Sequence, residues 1–299
     1  MTLLGAVMLT GCFTGIESTP KITAADVKRQ QIETTPEDTY LSDISFQPPR
    51  QWQPGKLFYV TDPKINLIFS PSQTNPDPAK GTLLSFIGIE ESVSLTGEKV
   101  SDIILADTAG HHYTYRVDHS RDNLLEEKYL EIPFTVEMSV VDSVRERMEG
   151  HTYYIITSSW LDSEATPRTG RRFVPVKVTG VSPGNSFSPV LLSLLDENGQ
   201  PFTMFLTVGN DNRSTRRFSS IFSLTDPRLR FPDITDEIWK LITNGRVTTD
   251  MTREECRLAL GQPDNVDRTP GYSILREVWT YENGIYLIFE DGRLRTFRQ

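Results

Sequence analysis

Residues 250–265 read DMTREECRLALGQPDN, and the order of residue types there specifies a helix with both of its ends. Thr252 is a good N-cap, and Glu255 stands three residues on. Hydroxyl and carboxylate can each take the other's backbone N–H, which is a capping box. Met251 then precedes the cap and Cys256 is the fourth helical position, the two places that close a hydrophobic staple. Cys256, Ala259 and Leu260 share one face, and Gly261 with Pro263 ends the helix. Glu254 and Glu255 suit the positive end of the helix dipole. As negative neighbours they raise a thiol's pKa, so Cys256 is predicted to be a small packed hydrophobe and not a nucleophile.

Upstream, DITDEIWKLITNG (233–245) predicts another helix. Asp233 or Thr235 caps it, Ile234, Ile238, Leu241 and Ile242 make its apolar stripe with Trp239 at the edge, and Asn244-Gly245 ends it. Downstream, Asn283-Gly284 and Asp291-Gly292 are hairpin turns between runs at 276–281, 285–290 and 293–297. These predict a three-stranded antiparallel meander. Ile285, Leu287 and Phe289 give it one apolar face, which two helices cover to make a small α+β domain over 231–299.

Taken together, Met251, Thr252, Leu260, Gly261, Pro263, Trp279, Tyr281, Phe289, Asp291, Gly292 and Leu294 carry a pattern. It has a Met-Thr start, a Leu-Gly-x-Pro helix end, an aromatic strand and a closing Asp-Gly turn. This resembles the SmpA/OmlA (BamE-type) lipoprotein domain. The resemblance implies a non-catalytic, cofactor-free module that binds other envelope proteins in outer-membrane assembly or maintenance. Related two-helix, curved-sheet domains occur in β-lactamase-inhibitor-like proteins, so an inhibitor-like binding role is an alternative.

At the other end, MTLLGAVMLTGC (1–12) has an apolar run far too short to span a bilayer as a helix. It suits the core of a secretory signal. Leu9-Thr10-Gly11-Cys12 resembles the lipobox of bacterial lipoproteins. That implies cleavage after residue 11, lipidation at Cys12, and a lipid anchor in the outer membrane, on its periplasmic face or, as the alternative, its outer surface. Three acyl chains, at about 0.8 kcal/mol per buried methylene, hold almost permanently. Residues 12–53 are rich in Thr, Pro, Glu, Asp and Gln. They read as a tether, with one short helix at 24–32.

Between tether and C-terminal domain the pattern is β. KLFYV, NLIFS, LLSFIGI, DIILAD, YTYRV, IPFTVEM, YYIIT, FVPVKV, LLSLLD and FTMFLTV are β-branched and aromatic runs set apart by Gly, Pro, Asn and Asp. They predict two small barrel or sandwich modules, at 54–165 and 166–230. Residues 103–117 align with 192–206, matching Asp107 to Asp196, Gly110 to Gly199 and Tyr113 to Phe202. Gly55 to Val60 similarly resembles Gly170 to Val176. Both likenesses point to a duplication.

Chemistry-bearing motifs are few. A net charge of −9 argues against nucleic acid as a partner. Arg213, Arg216, Arg217, Arg228 and Arg230 read as solvated surface, or as contacts to lipid headgroups or an acidic partner. His111 and His112 are adjacent, so a strand points them to opposite faces and they cannot share a metal ion. Gly180-Val181-Ser182-Pro183-Gly184 has the letters of a nucleophile elbow, but the motif needs a following helix and a later histidine, and no histidine follows His151. No Walker loop or dinucleotide fingerprint is present. The expectation is a lipid-anchored, non-catalytic adaptor. The alternative is an envelope enzyme or ligand-binding protein that works through the β region.

Overall fold

A computed structural model describes residues 34–71, 75–162, 164–209, 216–270 and 275–299. The expected signal, Cys12 and the expected helix at 24–32 lie outside these residues. Among the described residues the chain is mainly β, with sixteen strands in three antiparallel sheets and six helices.

Among the described residues the first element, α1 (Pro36–Thr39), lies within the expected tether. Leu41, Ile44 and Trp52 are buried, so 36–53 packs against the body, and the tether expectation fails over that span. Tyr40 and Phe46 pack beside Leu41 and Ile44 on the second core, while Trp52 enters the first.

The first sheet joins β1 (Leu57–Val60), β2 (Leu83–Val93), β3 (Lys99–Ala106), β4 (His112–Val117) and β5 (Thr135–Glu137) in the order β4-β3-β2-β1-β5. Helix α2 (Arg121–Glu126), capped by the Ser120 hydroxyl, contributes Leu124 to its core. Of the run NLIFS (66–70), expected as a strand, Asn66 and Leu67 end a 3₁₀ turn over Pro63–Leu67, and Phe69 makes only an isolated antiparallel bridge to Tyr115. Asp62 caps that turn by accepting the Lys64 N–H, and Pro63 presets its first φ.

Helix α3 (Met138–Met148) follows and buries Val140, Val141, Val144 and Met148 against the second sheet. That sheet comprises β6 (Thr152–Ile155), β7 (Ser159–Leu161), β8 (Pro167–Thr169), β9 (Val174–Pro183), β10 (Val190–Asp196), β11 (Pro201–Leu206) and β12 (Phe222–Ser223). Its order is β12-β6-β9-β10-β11-β7-β8. Helix α4 (Phe218–Ile221) leads into β12. The change of sheet thus falls between 137 and 152, and the expected division at 165/166 cuts through the second sheet.

The two sheets share a path. Strands β5-β1-β2-β3-β4 run in the same antiparallel order as β12-β6-β9-β10-β11. The hairpins match in register: Leu105 pairs with Tyr113 and Leu194 with Phe202. One extra residue bulges at the same place in each, Ile87 before Gly88 and Thr179 before Gly180. In each sheet the segment after the first strand crosses to cover the same edge. Ser70 bonds Thr114 in the first, and Leu161 pairs with Thr203 in the second. The counterpart of β1 is therefore β6, not the stretch from Gly170 to Val176 that its sequence resembles. Pairing partners decide equivalence, and a short sequence likeness does not.

Beyond a 3₁₀ turn at Pro227–Arg230, α5 (Asp236–Thr243) and α6 (Arg253–Leu260) pack on the third sheet. It contains four strands, not three: β13 (Asn265–Pro270), β14 (Leu275–Thr280), β15 (Tyr286–Glu290) and β16 (Arg293–Arg298), in that order. The unforeseen β13 is an edge strand, where polar residues and a terminal proline are tolerated. Phe173, with φ +57, places its ring in this core 5.6 Å from Trp239, while the Arg172 N–H donates to the Thr243 carbonyl at 3.0 Å.

Candidate functional site

The C-terminal motif residues act as caps, turns and packing. Thr252 Oγ1 accepts the Glu255 N–H at 3.2 Å, and Glu255 Oε2 accepts the Thr252 N–H at 2.6 Å. Met251 and Cys256 are buried in one cluster. Burial, with the Glu255 charge behind it, pushes the Cys256 thiol up to about 12, so it stays a thiol at neutral pH. Gly261 has φ +89, and the Arg172 guanidinium lies 3.7 Å from where a Cβ would sit. Pro263 follows, partly exposed. Tyr281 donates to the Gly261 carbonyl at 3.4 Å. Asp291 accepts the Leu275 N–H at 3.1 Å, and Gly292 (φ +82) lies beside Arg253. Trp279 is fully buried, and its Nε1–H donates to Glu277 Oε2 at 3.3 Å. Sequence reasoning missed Glu277, a buried carboxylate that also meets Arg253 at 2.8 Å. Its apolar neighbours Val278 and Trp279 gave no sign of it.

The β region holds no assembled catalytic set among the described residues. His111 Nδ1 meets Asp107 Oδ2 at 2.9 Å, but Asp107 is occupied as a turn residue. Its Oδ1 accepts the N–H groups of Ala109 and His111, and its Oδ2 accepts from the Tyr113 hydroxyl. Burial alone raises the Asp107 carboxyl; the bonds from His111, Tyr113 and Ala109 outweigh it and hold the group at about 2. Ser182 lies on β9 and leads into a loop and then β10, with no helix, so no elbow forms. No three His, Cys, Asp or Glu side chains among the described residues are grouped to hold a metal ion.

Two polar clusters are self-satisfied. Lys56 and Glu137, only 6% and 4% exposed, form an ion pair joined by Gln47 and Ser139. Burial lowers the Lys56 pKa from its ordinary value, with Glu137 opposing. Beside them a groove of about 360 Å³ contains Asp43, Glu146 and Arg147. There Asp43 and Arg147 are locked as a bidentate pair at 2.5 and 2.8 Å.

A further concave feature is a cleft of about 500 Å³. Phe46 and Tyr129 form one wall, their ring centroids 4.9 Å apart. Phe187, Pro189 and Val208 form the other, with Lys128 and Glu131 at the rim. Phe187 is 90% exposed and Tyr129 44% exposed. The Phe187 loop is rigidly built. Asn185 Oδ1 accepts the N–H groups of Phe187 and Ser188, each at 2.9 Å, and Gly184 donates to the Pro189 carbonyl at 2.9 Å. A Cβ on Gly184 would stand 2.2 Å from the Ser188 carbonyl, so only glycine fits. The sequence signal was a lone phenylalanine inside the polar loop GNSFSP; nothing local connects it to residues 46 and 129.

Comparison with family models, with curated proteins and with solved structures found no match to this chain.

Proposed function

We propose that this chain is a lipid-anchored, non-catalytic envelope protein that binds other proteins in outer-membrane assembly or maintenance. In this reading Cys12 carries the lipid, the first two sheets are duplicated modules, and the C-terminal α+β unit is a BamE-like binding module. The observation that carries the proposal is the character of the aromatic cleft. Acid–base or nucleophilic catalysis by side chains needs such groups converging on one place. The cleft instead offers rings and a proline on a fixed frame, the composition of an interface centre. Elsewhere Lys56 pairs with Glu137, Asp43 with Arg147 and Asp102 with Arg116. The position of Cys12, 24 residues before α1, adds support, because that length reaches at most about 80 Å when fully extended.

Crosslinking in intact cells, followed by membrane fractionation, tests this with wild type, Cys12→Ser and Phe187→Ser. Wild type is expected in the membrane fraction with a discrete set of crosslinked proteins. Cys12→Ser should move to the soluble fraction, and Phe187→Ser should stay in the membrane but lose its crosslinks. A Cys12→Ser chain that remains membrane-bound contradicts the anchor. Crosslinks that survive Phe187→Ser contradict the cleft as the contact.

A further inference from the structure

We infer that the outer edge of β2, from Gly88 to Val93, takes an extended strand of a partner protein into the first sheet. This contact shares no residue with the aromatic cleft and does not depend on Phe187.

Strand β1 pairs with β2 only from Leu83 to Ser85. Two further bonds, from the Gly55 N–H to the Phe86 carbonyl and from the Phe86 N–H to the Lys56 carbonyl, end that ladder at the bulge. Beyond it β2 runs on to Val93 with β3 alone beside it. The Ser94 N–H donates to the Glu98 carbonyl. Antiparallel alternation from that bond turns the backbone groups of Ile89, Glu91 and Val93 away from β3. Among the described residues these backbone groups have no hydrogen-bond partner. Glu90, Glu91 and Val93 are exposed, so the edge faces solvent.

The second sheet shows how the same edge is closed. Matching the two bulges makes Val181 the counterpart of Ile89, and Pro183 that of Glu91. There the Arg145 guanidinium, from α3, donates to the Val181 carbonyl at 3.0 and 3.2 Å. Pro183 has no N–H to offer. A charged group over an edge and a proline within it both keep further strands away. The first sheet has neither device: β2 contains no proline, and no described side chain meets the Ile89 carbonyl.

Backbone geometry names the occupant. Outward N–H and C=O groups at every second residue are matched by an extended chain, which adds to a sheet as one more strand. Charge separates a foreign strand from a second copy. Two copies joined two-fold as one continuous sheet across the middle of this edge place Glu90 or Glu91 opposite itself. Like charges directly opposite destabilise a strand pair. Val93, 62% exposed, and the fully exposed Leu95 at the hairpin tip offer apolar contact to incoming side chains.

The test uses the full chain carrying Cys12→Ser and a short fluorescent probe peptide of alternating threonine and lysine. Threonine favours the extended chain and lysine keeps it soluble. Fluorescence anisotropy should show saturable binding. Hydrogen exchange at the Ile89, Glu91 and Val93 amides should be fast in the free chain and slowed about tenfold or more by the probe. A second probe, N-methylated at every residue, keeps charge and side chains but has no amide donors, and should not bind. Glu91→Pro gives the first sheet the residue of the second and removes an N–H that points away from β3. It should weaken the first probe about tenfold. Val93→Pro makes the same change at the next outward position, and far-ultraviolet circular dichroism shows which variants are folded. Absence of saturable binding, equal binding of both probes, or indifference to a folded proline variant overturns the inference. So do amides at 89, 91 and 93 that already exchange slowly in the free chain at every concentration, because the edge is then covered from within. Slow exchange that develops with protein concentration and needs no probe makes the occupant a second copy, and overturns the inference too.

Discussion

The first and second sheets follow one path with different contents. Both have the same five-strand order, the same bulge and the same hairpin register, yet their regions carry charges of opposite sign. The path depends on a few positions with special backbone duties. Asp107 and Asp196 each accept two backbone N–H groups within their turns, and Gly110 and Gly199 take positive φ. Surfaces diverge freely around such points because exposed substitutions change stability little.

The largest contrast lies at the joint between the first and last strands of each sheet. Pairing makes Glu137 the counterpart of Leu224, and Lys56 that of His151. The first sheet thus holds a buried ion pair where the second places an apolar side chain against its core. Glu137→Ala strands the Lys56 charge and should cost about 3–5 kcal/mol in urea unfolding. Lys56→Met combined with Glu137→Leu should recover most of that loss. A double variant as unstable as the single would show that the pair is more than a substitute for packing.

Next come the turns. Asp196→Ala removes two backbone acceptor bonds and should cost about 1–2 kcal/mol. Asp107→Ala also strands the Tyr113 hydroxyl and His111, and should cost about 2–3 kcal/mol. Because the folded Asp107 carboxyl is held at about 2, its contribution is complete above the ordinary aspartate range near pH ~4. It is lost as the pH falls from there toward 2. Acid titration of wild type against Asp107→Asn should reveal that loss, and identical curves for the two would contradict it.

The smallest effect sharpens the rule for the turn. A third copy stands at Asp162, which accepts the N–H groups of Glu164 and Thr166, but here Ala165 holds φ +62 where the others have glycine. Ala165→Gly relieves a left-handed alanine that costs about 1 kcal/mol. Set against the entropy of an added glycine, the net gain should be about 0.5 kcal/mol, read as a small rise in Tm. A fall in Tm would mean that the left-handed alanine carries no strain.

These turns were legible from the sequence because their information is local. Asp-x-x-Gly specifies its own hydrogen bonds, as Thr252 and Glu255 specify theirs. Helix α3 was missed although Val140, Val141, Val144 and Met148 recur at helical spacing, because its start overlaps the strand-like run IPFTVEM. The capping Asp62 and Pro63 overrode the β-branched composition of the run that follows them. Most of the candidate site was not legible. Its walls come from residues near 46, 129, 187 and 208, and only long-range packing unites them. A single exposed phenylalanine does not announce its partners.

The N-terminal strap has a mechanical meaning. Glu37 accepts hydrogen bonds from the Leu224 N–H and the Ser223 hydroxyl, Asp43 grips Arg147, and Leu41 and Ile44 lie in the second core. Tension applied at Pro36 therefore enters the second sheet and α3 first. In a chain held by its N-terminus, Phe46 rides on that strap, so load reaches the Phe46–Tyr129 side of the cleft before it reaches the first sheet through Gln47 and Trp52.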